Sequence, residues 1–149
     1  DNTRTMKFVR RDYIREVENL DGYKVFMAKA NGTGAFGETL TPPIVGEPSV
    51  GNTETFISIG EFYTLSEAMA LKKYIATKFV RALLGALKTT QDITPEKWKF
   101  VPQQDFSETS DIDWSRSVEE IDAFLYKKYK LTDAEICFIN EKVQAMKDV

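Results

Sequence analysis

Histidine is absent from the 149 residues, and there is one cysteine. Without an imidazole, this chain cannot assemble a Ser-His-Asp or Cys-His nucleophile, nor a zinc site built from His and Cys. The lone thiol, Cys137, excludes an internal disulfide and fits a reducing, cytoplasmic setting. Its place in an apolar helical run predicts a buried, inert side chain. No apolar run reaches the roughly 18 residues that a membrane span needs, so no membrane contact is expected. No lysine has Asp or Glu two positions before it, which excludes a common phosphodiesterase arrangement. No Gly-Lys-Ser/Thr run exists, so there is no phosphate-binding P-loop. The only Pro-Pro pair, Pro42-Pro43, lies between Thr41 and Ile44, and so lacks the Asn/Asp and the aromatic of an adenine methyl-transfer loop. No catalytic residue and no metal set is expected. Asp111, Asp113 and Glu119 read as a solvated acidic loop rather than a cation site.

What is present is apolar enough to form a core, at 42% hydrophobic and 12% aromatic. The strongest signal is Thr64 to Leu87. Thr64 and Glu67 match a capping box. Leu65, Ala68, Met69, Lys72, Ile75, Phe79, Leu83 and Leu87 then recur at steps of three and four, with Lys72 the only polar interruption, which builds one apolar stripe. One long helix over about 64–87 is predicted, packed on a small sheet, with Arg81 on the polar side.

The sheet is expected ahead of it. Residues 6–9 suggest a short strand, and Ile14, Val17 and Leu20 suggest a surface helix after it. Tyr23 to Lys29 alternates as a strand. Thr55 to Ile59 is apolar on both faces, which predicts a central strand covered on two sides. Between them, Gly32, Gly34 and Gly37 match G-x-G-x-x-G, but Thr39 to Pro43 follows and cannot continue as a helix, so a dinucleotide site is not indicated. A loop whose amides meet a phosphate is the remaining functional reading.

After the long helix, Lys97 to Val101 alternates and predicts a short strand ending at Pro102. In residues 103–116, Phe106, Ile112 and Trp114 are the expected anchors. Two further capping boxes follow, Ser117 with Glu120 and Thr132 with Glu135, each ahead of an apolar stripe. They predict a helical hairpin that closes on itself or on the main body. The fold class expected is α+β: a small mixed or antiparallel sheet on one long helix, then a C-terminal helical hairpin. Residues 1–104 form the core and 105–149 an acidic linker plus hairpin.

The net charge of −3 conceals a segregation. Residues 64–99 carry seven basic and three acidic side chains, residues 31–63 none and four, and residues 105–149 six and eleven. A local basic face governs phosphate binding more than the total does. Arg81, Lys88, Thr90, Gln91, Lys97 and Lys99 are the candidates there, with cations for phosphates and Gln91 suited to adenine in a major groove. The alternative is a solvated helix face followed by an edge strand guarded by lysine.

Three stretches taken together resemble a known family. They are KVFMAKANGTGAFG, the segment from TETFISIGEF through KFVRALLGALKTTQDITPEKWKFVPQQDF, and DIDWSRSVEEIDAFLYKKYKLTDAEICFINEKVQAM. They resemble the C-terminal, target-recognition region of adenine-specific DNA methyltransferases and fused restriction–modification enzymes of bacterial Type II systems. The likeness spans about Lys24 to Met146. It implies double-stranded DNA and the remaining domains of a parent enzyme as partners. S-adenosylmethionine belongs to the parent's catalytic domain and not to these residues, and some members of the family carry a fused restriction endonuclease. The likeness also implies that Lys29 and Asn31, together with Lys88 and Gln91, are DNA contacts. The first residue, Asp1, leads to the expectation of a piece of a longer protein. Two other functions compete with DNA recognition: a docking module without DNA binding of its own and, more weakly, an enzyme with a carboxylate site.

Overall fold

The computed structural model describes residues 5–30, 32–87 and 92–146. Strands β1 (Tyr23–Ala28), β2 (Ile44–Gly46) and β3 (Phe56–Phe62) form an antiparallel sheet in the order β2-β1-β3. The fold class is α+β, as expected, but β3 is an edge strand. β1 is the central one, pairing Val25 with both Val45 and Ile59. The apolar residues on both faces of β3 therefore reflect packing at an edge. Residues 6–9 form no strand, and among the described residues the only helical turn before β1 is a 3-10 turn at Arg11–Tyr13.

The alternation of β1 sorts its side chains. Val25 and Met27 are buried in the core under the helices. Lys24, on the other face, is 1% exposed. Its ammonium donates to the carbonyls of Leu20 (2.7 Å), Gly22 (2.9 Å) and Glu47 (2.9 Å), so each of its three N–H groups has an acceptor. Burial pulls its pKa below the ordinary lysine value, against the opposing pull of Asp21.

The predicted long helix is two. Helix α1 (Leu65–Ala76) starts at the expected Thr64–Glu67 box, and α2 (Lys78–Leu87) follows after a break at Thr77 (φ −59°, ψ 147°). The break leaves amides of the first turn of α2 without intrahelical acceptors. Thr77 Oγ1 accepts from Val80 N (3.2 Å) while donating to the Tyr74 carbonyl (2.7 Å). The Asp122 carboxylate accepts from Lys78 N and Phe79 N, both at 2.9 Å. The acceptor that makes the break tolerable thus comes from an element 44 residues further on. An apolar stripe at helical spacing carries no sign of it.

After a short helix, α3 (Pro95–Trp98), two longer ones close the fold. These are α4 (Val118–Lys128) and α5 (Asp133–Lys142), each with its predicted capping box formed. Both pack on α2, and α4 also packs on α1, so the hairpin closes on the main body. Lys73 on α1 donates to the carbonyls of Trp114 (2.8 Å) and Arg116 (3.0 Å), which pins the linker. Phe106 and Trp114 pack around Tyr74 in tilted and edge-on contacts with ring centroids 5.2–6.0 Å apart, and Ile112 is 3% exposed, so the three expected anchors are in place. Cys137, in contrast, is exposed rather than buried, with its thiol against Glu141 at 3.5 Å.

Candidate nucleic-acid interface

In place of the strand expected at residues 97–101, the segment after α2 forms α3, with proline at the start of the helix, where the missing N–H costs nothing. Lys97 and Trp98 fall in this turn and are half-buried, while Lys99 and Phe100 follow it and are exposed. The extended pairing in this region occurs earlier, as an antiparallel bridge between Ala30 and Asp92.

This bridge builds the site. Lys29 N donates to Thr55 O (3.0 Å), and Lys29 O accepts from Ile93 N (2.8 Å). The backbone at the end of β1 is thus held on both sides. Ile93, 1% exposed, anchors the crossing chain in the core. Lys29 and Lys99 are exposed, and their side chains form no hydrogen bond among the described residues. Lys97 is half-buried, and its ammonium donates to the Asp92 carbonyl (2.6 Å), closing the turn that leads into α3. Glu96 stays acidic: its own backbone amide, then the Thr94 hydroxyl and Lys99, hold its carboxyl below the usual range. The two joined segments carry three lysines, Lys29, Lys97 and Lys99, and two acids, Asp92 and Glu96.

Of the eight candidates, the structure joins Lys29 with the segment of Lys97 and Lys99, which lies far from it in the sequence. Asn31, Lys88, Thr90 and Gln91 lie outside the described residues. Asn31 follows Ala30 directly and Gln91 precedes Asp92, so these candidates flank the corner in sequence. Arg81 is withdrawn from the surface. It is 3% exposed; its Nε donates to the Ala76 carbonyl (3.2 Å), and Nη1 and Nη2 have no hydrogen-bond partner among the described residues. Burial lowers its pKa, opposed by the charges of Asp122 and Tyr126. A phosphate cannot reach it, because α4 and α5 cover the face of α2 that was expected to be solvated. Lys78 is similarly turned toward the tail, near Asn140 (3.4 Å). The basic surface is consequently narrower than the charge count of residues 64–99 implied.

The glycine loop adds a feature that spacing did not announce. Consecutive amides of Thr33 and Gly34 donate to the two oxygens of Glu38, at 2.8 and 2.9 Å, and the Thr33 hydroxyl adds a third bond at 3.2 Å. Gly32 (φ +61°) and Gly34 (φ +92°) supply the left-handed backbone that turns these amides inward. The far end of the loop is tied to the end of α5. Gly37 O accepts from Gln144 N (2.9 Å), a Cβ on Gly37 would collide with the Lys142 carbonyl, and Phe36 meets Phe138 at 5.5 Å. The amides do hold an anion, but it is a carboxylate of the same chain. The acid that follows shortly after the paired glycines was the available sequence signal.

Among the described residues no group of three or more His, Cys, Asp or Glu side chains is placed to hold a metal ion. No helix there is long and apolar enough to cross a membrane. The open face of the sheet carries a cleft of about 600 Å³ walled by Phe26, Ile44, Val50 and Phe56. No protein-family model, curated protein or solved structure matches this chain.

Proposed function

We propose that this chain binds double-stranded DNA as a target-recognition module of a bacterial restriction–modification enzyme. Its adenine-specific methyltransferase domain, with S-adenosylmethionine, would lie elsewhere in the parent protein. The observation that carries the reading is the Ala30–Asp92 bridge. It brings the exposed Lys29 to the segment bearing Lys97 and Lys99, and the four polar or basic candidates outside the described residues adjoin it in sequence. The likeness of three ordered stretches to that enzyme family supplies the identity of the polyanion. Lysines at such a corner contact phosphates and set register, while Gln91 and Asn31 are the side chains suited to a base edge.

Fluorescence anisotropy with a duplex over a salt series tests this. Binding should weaken steeply with salt. Replacing Lys88 or Lys99 by Ala should flatten the slope of log K against log salt by about 0.9 for each phosphate that the variant no longer neutralises. Binding that ignores salt, or variants identical to wild type, refutes it.

A docking role within the same enzyme is the second reading, and one observation favours it. The N-terminal segment leaves Met6, Phe8, Val9 and Tyr13 between 62% and 102% exposed. Apolar side chains so presented in one stretch mark a protein-contact surface. Under this reading the chain binds no DNA alone, and the same anisotropy experiment separates the two.

A further inference from the structure

We propose that the consecutive amides of Thr33 and Gly34 form a phosphate-binding site which Glu38 fills from within the chain, so that Glu38 competes with bound nucleic acid. The inference rests on the DNA-binding reading for its source of phosphate, and on geometry for the site itself. Two successive N–H groups converge on one carboxylate, one bond to each oxygen, at 2.8 and 2.9 Å, and the Thr33 hydroxyl reinforces one of them. Backbone amides curved in this way by left-handed glycines select for an anion and not for a particular one. A phosphate monoanion offers the same pair of oxygens.

Position makes the exchange reachable. The loop begins shortly beyond Lys29, whose exposed side chain leaves the end of β1. The other end of the loop is fixed on α5 through Gly37 and Phe36, so the amides stay in place when their occupant changes. The swap keeps both amide bonds: phosphate oxygens replace carboxylate oxygens, and Glu38 regains hydration in solvent. Nothing in residues 31–63 supplies a cation for an incoming phosphate, so the amides and Lys29 would do that work. A chain that carries its own competing anion binds duplex only where enough other contacts offset the displacement, which disfavours weak, non-specific association.

Glu38→Gln tests the idea in the full chain. The neutral amide has one acceptor oxygen in place of two, so one backbone N–H is released while the loop keeps a partner. Thermal melting of Glu38→Gln, with Glu38→Ala as a second variant, establishes that the fold is intact before binding is read. Duplex affinity should rise roughly 3- to 10-fold at low salt, with the gap closing as salt screens the removed charge. The amide resonances of Thr33 and Gly34 in the labelled wild-type chain should move on adding duplex. Equal affinities with both resonances unmoved overturn the proposal, as does weaker binding by both variants, which would make Glu38 a brace for the loop. Inorganic phosphate is the second probe. If neither chain binds duplex but phosphate shifts both amides in Glu38→Gln, the anion site stands and the DNA reading falls. If phosphate and duplex both leave the amides still, the site falls too.

Discussion

At the seam between helices and tail, Lys73 directs its ammonium at the carbonyls of Trp114 and Arg116, and Lys78 lies against Asn140. At the corner where β1 meets residues 92–99, the side chains of Lys29 and Lys99 stand exposed without hydrogen bonds among the described residues. In the interior, Lys24 satisfies three carbonyls, and Arg81 has one. The same charge therefore serves two ends. In the seam it ties side chain to backbone, and an ammonium so engaged is unavailable to a ligand. At the corner the backbone carries the structural role through the bridge at Ala30–Asp92, which leaves the side chains to face outward. Counting positive residues along a sequence merges the two uses, and only their partners separate them.

The sharpest way to break this contrast is at Asp122, the acid that holds the seam together. Asp122→Ala removes the acceptor for two amides of α2 and a carboxylate whose charge acts on Arg81. Urea unfolding should show a loss of about 3 kcal/mol, the scale for a buried charge left without its counterpart. An unchanged midpoint would mean that the break at Thr77 is held by Thr77 alone.

The same group sharpens the comparison through pH. Burial pushes the Asp122 carboxyl up to about 6 from an ordinary 3.8, against the amides of Phe79 and Lys78 and the charges of Arg81 and Lys78. A carboxyl raised on folding binds more protons in the native state across that window. Its contribution to stability is therefore complete below about 3.8 and is lost as pH rises through about 6. Asp105, Asp113, Glu120 and Glu135 are shifted down by hydrogen bonds, and their contributions run the other way. Subtracting the profile of Asp122→Asn isolates the first effect. The stability difference should shift against wild type as pH rises from about 3.8 through about 6, and a flat difference would contradict the buried, ionisable cap.

Lys73→Met and Lys99→Met should exchange their effects. The first should lower stability by about 1 kcal/mol, for its charge-assisted bonds to carbonyls, and leave duplex affinity alone. The second should leave the melting temperature alone and weaken duplex binding. Matching phenotypes would erase the distinction between seam and corner. Arg81→Met should cost less than Asp122→Ala, because the counter-charge lost to Asp122 is partly offset by removing two buried nitrogens that have no partner among the described residues, and it should not touch DNA binding. The smallest effect is expected for Cys137→Ser. The thiol is exposed, so unfolding should change by less than about 0.5 kcal/mol.

The three capping boxes, the β1 strand, the helical tail and its anchors Phe106, Ile112 and Trp114 are all legible in the sequence. Each is encoded by residues within a few positions of one another. The differences between expectation and structure share another cause. The stripe from Leu65 to Leu87 conceals a break whose acceptor sits in α4. The alternation of Lys97 to Val101 mimics a strand, yet Pro95 starts a helical turn. Arg81 sits on a helix whose spacing implies one covered face, and the tail covers a second. For the candidate site, Lys29, Lys97 and Lys99 are identifiable from the sequence, while their meeting depends on a backbone bridge between two remote segments.

The sequence by itself determined where α1, α4 and α5 begin, that β1 alternates, and that histidine-dependent chemistry is excluded, because these follow from local torsional preference and residue chemistry. Tertiary structure alone decided which cations face water, which acid caps α2, and which anion sits on the amides of Thr33 and Gly34. Those outcomes depend on where distant surfaces close over one another. A buried charge must find a partner there, whereas one left outside remains available.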